Sequence, residues 1–227
     1  KRNAVRGANL GDIITADQLA NIRNGSFKNI WLGDYWLRNG IVWRIMDMDY
    51  WYGIGLPKFQ QHHLVIMPDH PTDFRQTHYS HRIHAGWFNT DIRQKGYLDN
   101  SEAKARTVFP NAMLAHQEYM SVGVDQGMNV AGFWAGTMLD IPNVYMIYGH
   151  GANTPKQNGN PAWYDMEHSS LQQFRLMNLE QQFINPSPTS GYWLKDCVSM
   201  DGVFLHVLPD SRVAGRYASH VLGVRPV

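Results

Sequence analysis

The run IWLGDYWLRNGIVWRIMDM, Ile30 to Met48, sets Asn39-Gly40 between two segments rich in aromatic and β-branched residues. Asn-Gly is the preferred centre of a two-residue type I′ hairpin turn, because both residues accept the positive φ that such a turn requires. If Arg38 closes on Ile41, partner numbers must sum to a constant. The register then follows by arithmetic: Trp36 faces Trp43, and Tyr35 faces Arg44. Both are favourable cross-strand pairs, one aromatic and one cation-π. The tryptophan pair reads as packing beside a tight turn; a sugar-stacking platform is the functional alternative.

Working outward, residues 1–14 read as a basic N-terminal arm carrying Lys1, Arg2 and Arg6. It is either a frayed terminus or a segment lying on a neighbouring subunit. Thr15-Ala16-Asp17-Gln18 matches a capping box, and Gly25 stands where a glycine stops a helix. A short helix over 16–24 follows, with Leu19 and Ile22 on its inner edge. On the other side of the hairpin, Asp47 to Gly53 leads into a loop. His63 to Met67 reads as a buried strand ended by Pro68-Asp69. Residues 69–98 have no clear periodicity and are expected to form a long structured loop. Ser101 is placed as the N-cap of a helix limited by Pro110, and a further helix is expected around Met138 to Tyr148. The loop 149–162 is the expected exposed excursion. Strands return over Tyr192 to Met200, Val203 to Leu208 and about Ser219 to Val224.

Strands at both ends with helices between predict an α+β fold whose N- and C-terminal strands share a sheet, in one domain spanning 15–227. Lys plus Arg (20) nearly balances Asp plus Glu (19), which argues against general polyanion binding, so neither nucleic acid nor a membrane surface is an expected partner. The single cysteine, Cys197, has no partner for an internal disulfide, and no apolar run approaches the ~20 residues of a membrane span. Lys1 to Gly11 lacks the apolar core of a signal peptide. The chain opens on Lys1 without Met, so its numbering is expected to begin inside a longer or processed polypeptide.

Reactive constellations are scarce. His78, His81 and His84 are spaced so that neither a helix nor a strand gathers all three, and no zincin spacing or cysteine pair accompanies them. No metal or cofactor is therefore expected. Of the adjacent His62 and His63, one should be buried and hydrogen-bonded and the other exposed. Cys197 sits in an expected buried strand, where a thiol is inert packing. No nucleophile elbow, P-loop or dinucleotide fingerprint is present. Asp47 and Asp49, alternate along a strand, admit paired-carboxylate chemistry. The plainer reading gives them backbone donors or an arginine at the hairpin exit. No catalytic residue is assigned.

Five blocks carry a resemblance. They are Gly33-Asp34-Tyr35-Trp36, Trp43 to Tyr50 (WRIMDMDY), His62 to Asp69 (HHLVIMPD), Tyr192 to Ser199 (YWLKDCVS) and Gly223-Val224-Arg225-Pro226. In this order they resemble a family of tailed-bacteriophage and prophage virion structural proteins. Lys195 stands where that family has arginine, keeping the charge and losing the bidentate fork. The resemblance implies a C-type-lectin-like fold and a non-enzymatic, surface-exposed virion component, either a head decoration or a fibre protein. A tail-associated receptor-binding or glycan-binding protein is the close alternative. It further implies other phage structural proteins, major capsid or tail, as partners, a homo-oligomer and a possible host-surface glycan. Lys1, Arg2 and Arg6 would dock, Trp36, Trp43, Arg44, Trp193 and Arg225 would build the scaffold, and loops 70–98 and 149–162 would face outward. Two rivals remain: a host-envelope glycan-degrading enzyme using Asp47, Asp49 or the histidines, and a lectin stacking sugars on a loop tryptophan such as Trp87.

Overall fold

A computed structural model describes residues 4–77, 86–125, 128–149, 172–187, 189–199 and 202–227, without the side chains of 121–125, 128–131 and 198–199. The capping box is formed as the sequence dictates. Thr15 accepts from the Gln18 backbone and the Gln18 side chain returns to the Thr15 backbone, starting α1 (Ala16–Arg23). Gly25, at φ 69°, follows its C-cap. The hairpin of β1 (Tyr35–Arg38) and β2 (Ile41–Met48) has the expected register, with Trp36 opposite Trp43 and Tyr35 opposite Arg44, and Asn39 and Gly40 both at positive φ. Trp36 and Trp43 each meet Phe109 edge-on, at 5.3 and 6.2 Å, so the pair grips a third ring and is packing. Both indoles are buried, which excludes the sugar platform.

β3 (Leu64–Pro68) pairs with β2 and completes a three-stranded sheet in the order β1-β2-β3. The register shifts between Ile45 and Asp47, a bulge that re-aims the end of β2 so that Met46 and Asp47 are both buried. The chain then crosses into a second sheet through the short β4 (Asp73–Arg75). This sheet also contains β7 (Tyr192–Ser199), β8 (Val203–Val207), β9 (Val213–Tyr217) and β10 (Leu222–Val224), in the order β4-β10-β7-β8-β9 with β10 parallel to β7. The N- and C-terminal strands therefore do not share a sheet. β2 already has a strand on each side, and residues 5–11 run along β1 through bridges Val5 to Leu32 and Asn9 to Tyr35, so the outer side of the hairpin is occupied too. The α+β class stands, with two sheets in place of one.

Between β4 and β7 the chain forms α2 (Asp91–Gln94) and α3 (Asp99–Val108), then an antiparallel ribbon of β5 (His116–Asp125) and β6 (Met128–Thr137). Two short helices follow, α4 (Val144–Tyr148) and α5 (Arg175–Leu179). Helix α3 starts two residues before the expected cap. Ser101 lies inside it, buried, with its hydroxyl 2.7 Å from that of Thr72. The helix expected from Met138 is only α4, capped by Asn143 just after Pro142. The ribbon and β9 were not foreseen. Segment 71–77 and 86–98 was expected to face outward, yet it buries Thr72, Thr77, Trp87, Thr90, Asp91, Ile92 and Leu98. Most of loop 149–162 falls outside the described residues; Gly149 closes α4 in the left-handed conformation.

One continuous apolar core joins these layers, centred on Trp36, Trp87, Trp193, Tyr192, Phe174 and Phe204.

Candidate functional site

The five sequence blocks meet through their charged side chains. Asp34, buried before β1, accepts from the Arg6 guanidinium at 3.0 and 2.6 Å and from the backbone N–H groups of Ala8 and Trp31. Arg6 thus turns inward onto its own chain in place of the outward reach expected of a docking arm; Lys1 and Arg2 lie outside the described residues. Arg44 lies 5.0 Å from the Tyr35 ring and forks onto Asp69 at 2.7 and 2.5 Å, tying β2 to the end of β3. Trp193 donates its indole N–H to the Arg75 carbonyl at 2.8 Å, joining β7 to β4.

Arg225, fully buried after β10, donates to the carbonyls of Pro68 and Ile184 at 2.7 Å and of Phe183 at 3.2 Å. It also stands over the Tyr192 ring at 5.2 Å. Pro68 belongs to the first sheet and Tyr192 to the second, so this guanidinium joins the two. Of the five residues named as scaffold, Trp36, Trp43, Trp193 and Arg225 are buried and Arg44 is partly so.

The acids at the hairpin exit follow the plainer expectation. Asp47 accepts from the backbone N–H groups of Met48 and Arg175 and from the Arg175 guanidinium. Asp49 lies just past β2 at φ 58° and faces His62 at 3.0 Å and the His63 backbone at 3.1 Å. Neither is poised as a free acid or base. His63 is buried, as expected of one of the pair; His62, expected to be exposed, is only partly so and is held by Asp49. His63 Nε2 accepts from the Trp51 N–H and Nδ1 faces the Gln61 carbonyl, which fixes a neutral ring, and burial lowers its pKa. Cys197 is buried in β7. His78, His81 and His84 lie outside the described residues, and among those described no cluster of His, Cys, Asp or Glu is arranged for a metal. Trp87, the candidate sugar-stacking residue, is instead buried and donates to Asp140 at 3.0 Å.

Two features were not anticipated. One is an apolar cleft of about 150 Å³ between α1, β3 and α3, walled by Leu19, Ile22, Trp43 and Phe109 and rimmed by His62, His63 and His116. The other lies behind its wall. His116 stacks on Trp51 at 4.6 Å and reaches Glu118 Oε1 at 2.8 Å, and the second carboxylate oxygen touches Lys195 Nζ. Burial, helped by the Lys195 ammonium, pulls His116 down to about 4. Burial likewise pulls Lys195 down to about 7 against the opposing pull of Asp196, whose own carboxyl burial raises to about 6. Asp140 rises to about 6 for the same reason. This is a desolvated polar node within the core. Its one sequence signal was a lysine within the otherwise apolar run Tyr192-Trp193-Leu194.

No protein-family model, curated protein or solved structure matches the chain. Among the described residues no helix is long and apolar enough to cross a membrane.

Proposed function

We propose that this protein is a bacteriophage virion structural component, a head decoration or fibre protein that works by adhesion to other phage proteins. The observation that carries the reading is the use made of the five blocks: their charged and aromatic side chains hold segments of the chain together. Arg44 grips Asp69, Arg225 grips Pro68, and Asp47 grips Arg175. Side chains that perform chemistry point into a cleft with free acid, base or nucleophile; side chains that build architecture are buried and mutually satisfied. Arg44, Asp47, Asp69 and Arg225 are of the second kind. The five-stranded sheet also leaves aromatics exposed on both edge strands, Phe74 on β4 and Tyr217 on β9, as a contact surface requires.

The finer, C-type-lectin-like description of the fold is part of the same proposal. It is supported by the mixed sheet formed by the C-terminal strands and by the tryptophan-bearing strand β7 at its centre. Gold-labelled antibody against the folded chain tests the reading on purified particles. Decoration of heads or fibres is expected, and label confined to the soluble lysate would refute it. Label at the tail tip, with binding to host envelope sugars, would move the protein to the receptor-binding alternative.

A further inference from the structure

The node behind the cleft holds three polar side chains with almost no exposure: Glu118 at 2%, Asn143 at 2% and Lys195 at 6%. Together with Trp51, Ile54, Tyr119 and Trp134 they line a single void of about 10 Å³. Buried polar groups are ordinarily satisfied, and here Asn143 and Lys195 fall short. The Asn143 amide nitrogen has no hydrogen-bond partner among the described residues, and the one described partner of Lys195 Nζ is Glu118. The Asn143 carbonyl oxygen, by contrast, accepts from the Met146 N–H at 2.9 Å in the first turn of α4. The backbones run together here, Lys195 N–H donating to the Pro142 carbonyl at 3.1 Å.

We propose that Lys195 and Asn143 are joined by an intramolecular amide bond, formed by attack of Lys195 Nζ on Asn143 Cγ with Glu118 as the proton-transfer group. The parts match the steps. Desolvation favours the neutral amine, the nucleophilic form. The Met146 N–H already sits on the oxygen that takes up negative charge as Cγ becomes tetrahedral. Glu118, in contact with Nζ and held from its other oxygen by His116, takes a proton from the attacking nitrogen and delivers one to Nδ2. The Cγ–Nδ2 bond breaks as the Nζ–Cγ bond forms, ammonia leaves, and Glu118 ends as it began. No oxidant or cofactor enters. A void of this size is about one small molecule. The bond would close residues 143 to 195 into a covalent loop and staple β7 to the start of α4, a device suited to a particle surface.

Intact mass spectrometry of the folded wild-type chain decides the matter, with fragmentation of its digest. The expected result is a mass one ammonia, about 17 Da, below that of the sequence, and a linked peptide containing Lys195 and Asn143. Asn143→Asp is expected to lose water in place of ammonia and still yield the linked peptide. Glu118→Gln and Lys195→Arg are expected at full mass. A folded wild-type chain at full mass overturns the proposal. So does a deficit without the linked peptide, as from a succinimide at Asn39-Gly40, or a linkage of Lys195 to Glu118. The wild-type measurement stands even if a variant fails to fold.

Discussion

Replacing Arg225 by alanine removes, among the described residues, the one group that reaches the Pro68, Phe183 and Ile184 carbonyls together; Ile184 keeps the Tyr192 hydroxyl, so two carbonyls lose their donor. Each buried acceptor that loses a charged donor and gains no water costs about 1–3 kcal/mol. Relief of the desolvation carried by a buried guanidinium offsets part of this. The net expected loss is about 4 kcal/mol, a large share of the roughly 5–15 kcal/mol that holds a domain of ordinary stability together. For a chain of this size each kcal/mol lowers Tm by about 2–4 °C, so the melt should fall by roughly 8–16 °C. Three variants followed by circular dichroism in heat and urea separate the causes. Arg225→Lys keeps the charge but lacks the fork and should lose about half as much. Arg225→Met fills most of the volume and offers no donor, so it should lie near alanine. A methionine variant within about 1 kcal/mol of wild type would show that volume, and not the three carbonyl bonds, joins the sheets, and would refute the reasoning.

Further outcomes are expected. His116 has a folded pKa pulled from 6.5 to about 4, so it adds stability that is present above pH 6.5 and lost as pH falls toward 4. The stability of wild type relative to His116→Gln should therefore drop by about 3 kcal/mol between pH 7 and 4 in paired urea titrations, and parallel curves would refute the assignment. Gly40 sits at φ 75° with open space around it, so Gly40→Ala should cost only backbone strain, about 1 kcal/mol by thermal melt. At Gly191 an added Cβ would collide with the Val207 carbonyl oxygen, and Gly191→Ala should cost about 3 kcal/mol or more. Equal losses at the two glycines would contradict the geometry. Asp47→Asn weakens the hold on Arg175 and should lower stability by about 2 kcal/mol. Wild type should already be inactive on envelope glycans, and hydrolysis that disappears in Asp47→Asn would revive the enzyme reading.

What could be read from the sequence was what local chemistry determines. Asn39-Gly40 specifies its turn, and the turn specifies the Trp36 to Trp43 register; Thr15 and Gln18 specify the start of α1. The acids Asp47 and Asp49 were legible as ligands of an arginine and of backbone donors because they stand at a strand exit. The ribbon β5–β6 escaped because Gly123, Gly132 and Gly136 dilute its alternation, and its ladder is a pairing between two weakly patterned runs. β9 escaped because it is a short edge strand with a mostly exposed pattern. The separate sheets escaped for a different reason: which edge a strand joins is settled by what already occupies it, and residues 5–11 and β3 flank the hairpin. Glu118 and Asn143 carried no signal of their own. Their character comes from being desolvated beside Lys195, a property of the packed chain.

The most direct test of the account is the copy number of this chain in purified particles, measured by quantitative mass spectrometry against the major capsid protein. The account predicts a fixed, symmetry-related stoichiometry, on the order of hundreds of copies for a head component and about a dozen for a tail component. A chain absent from particles, yet abundant and folded in the lysate, would contradict it.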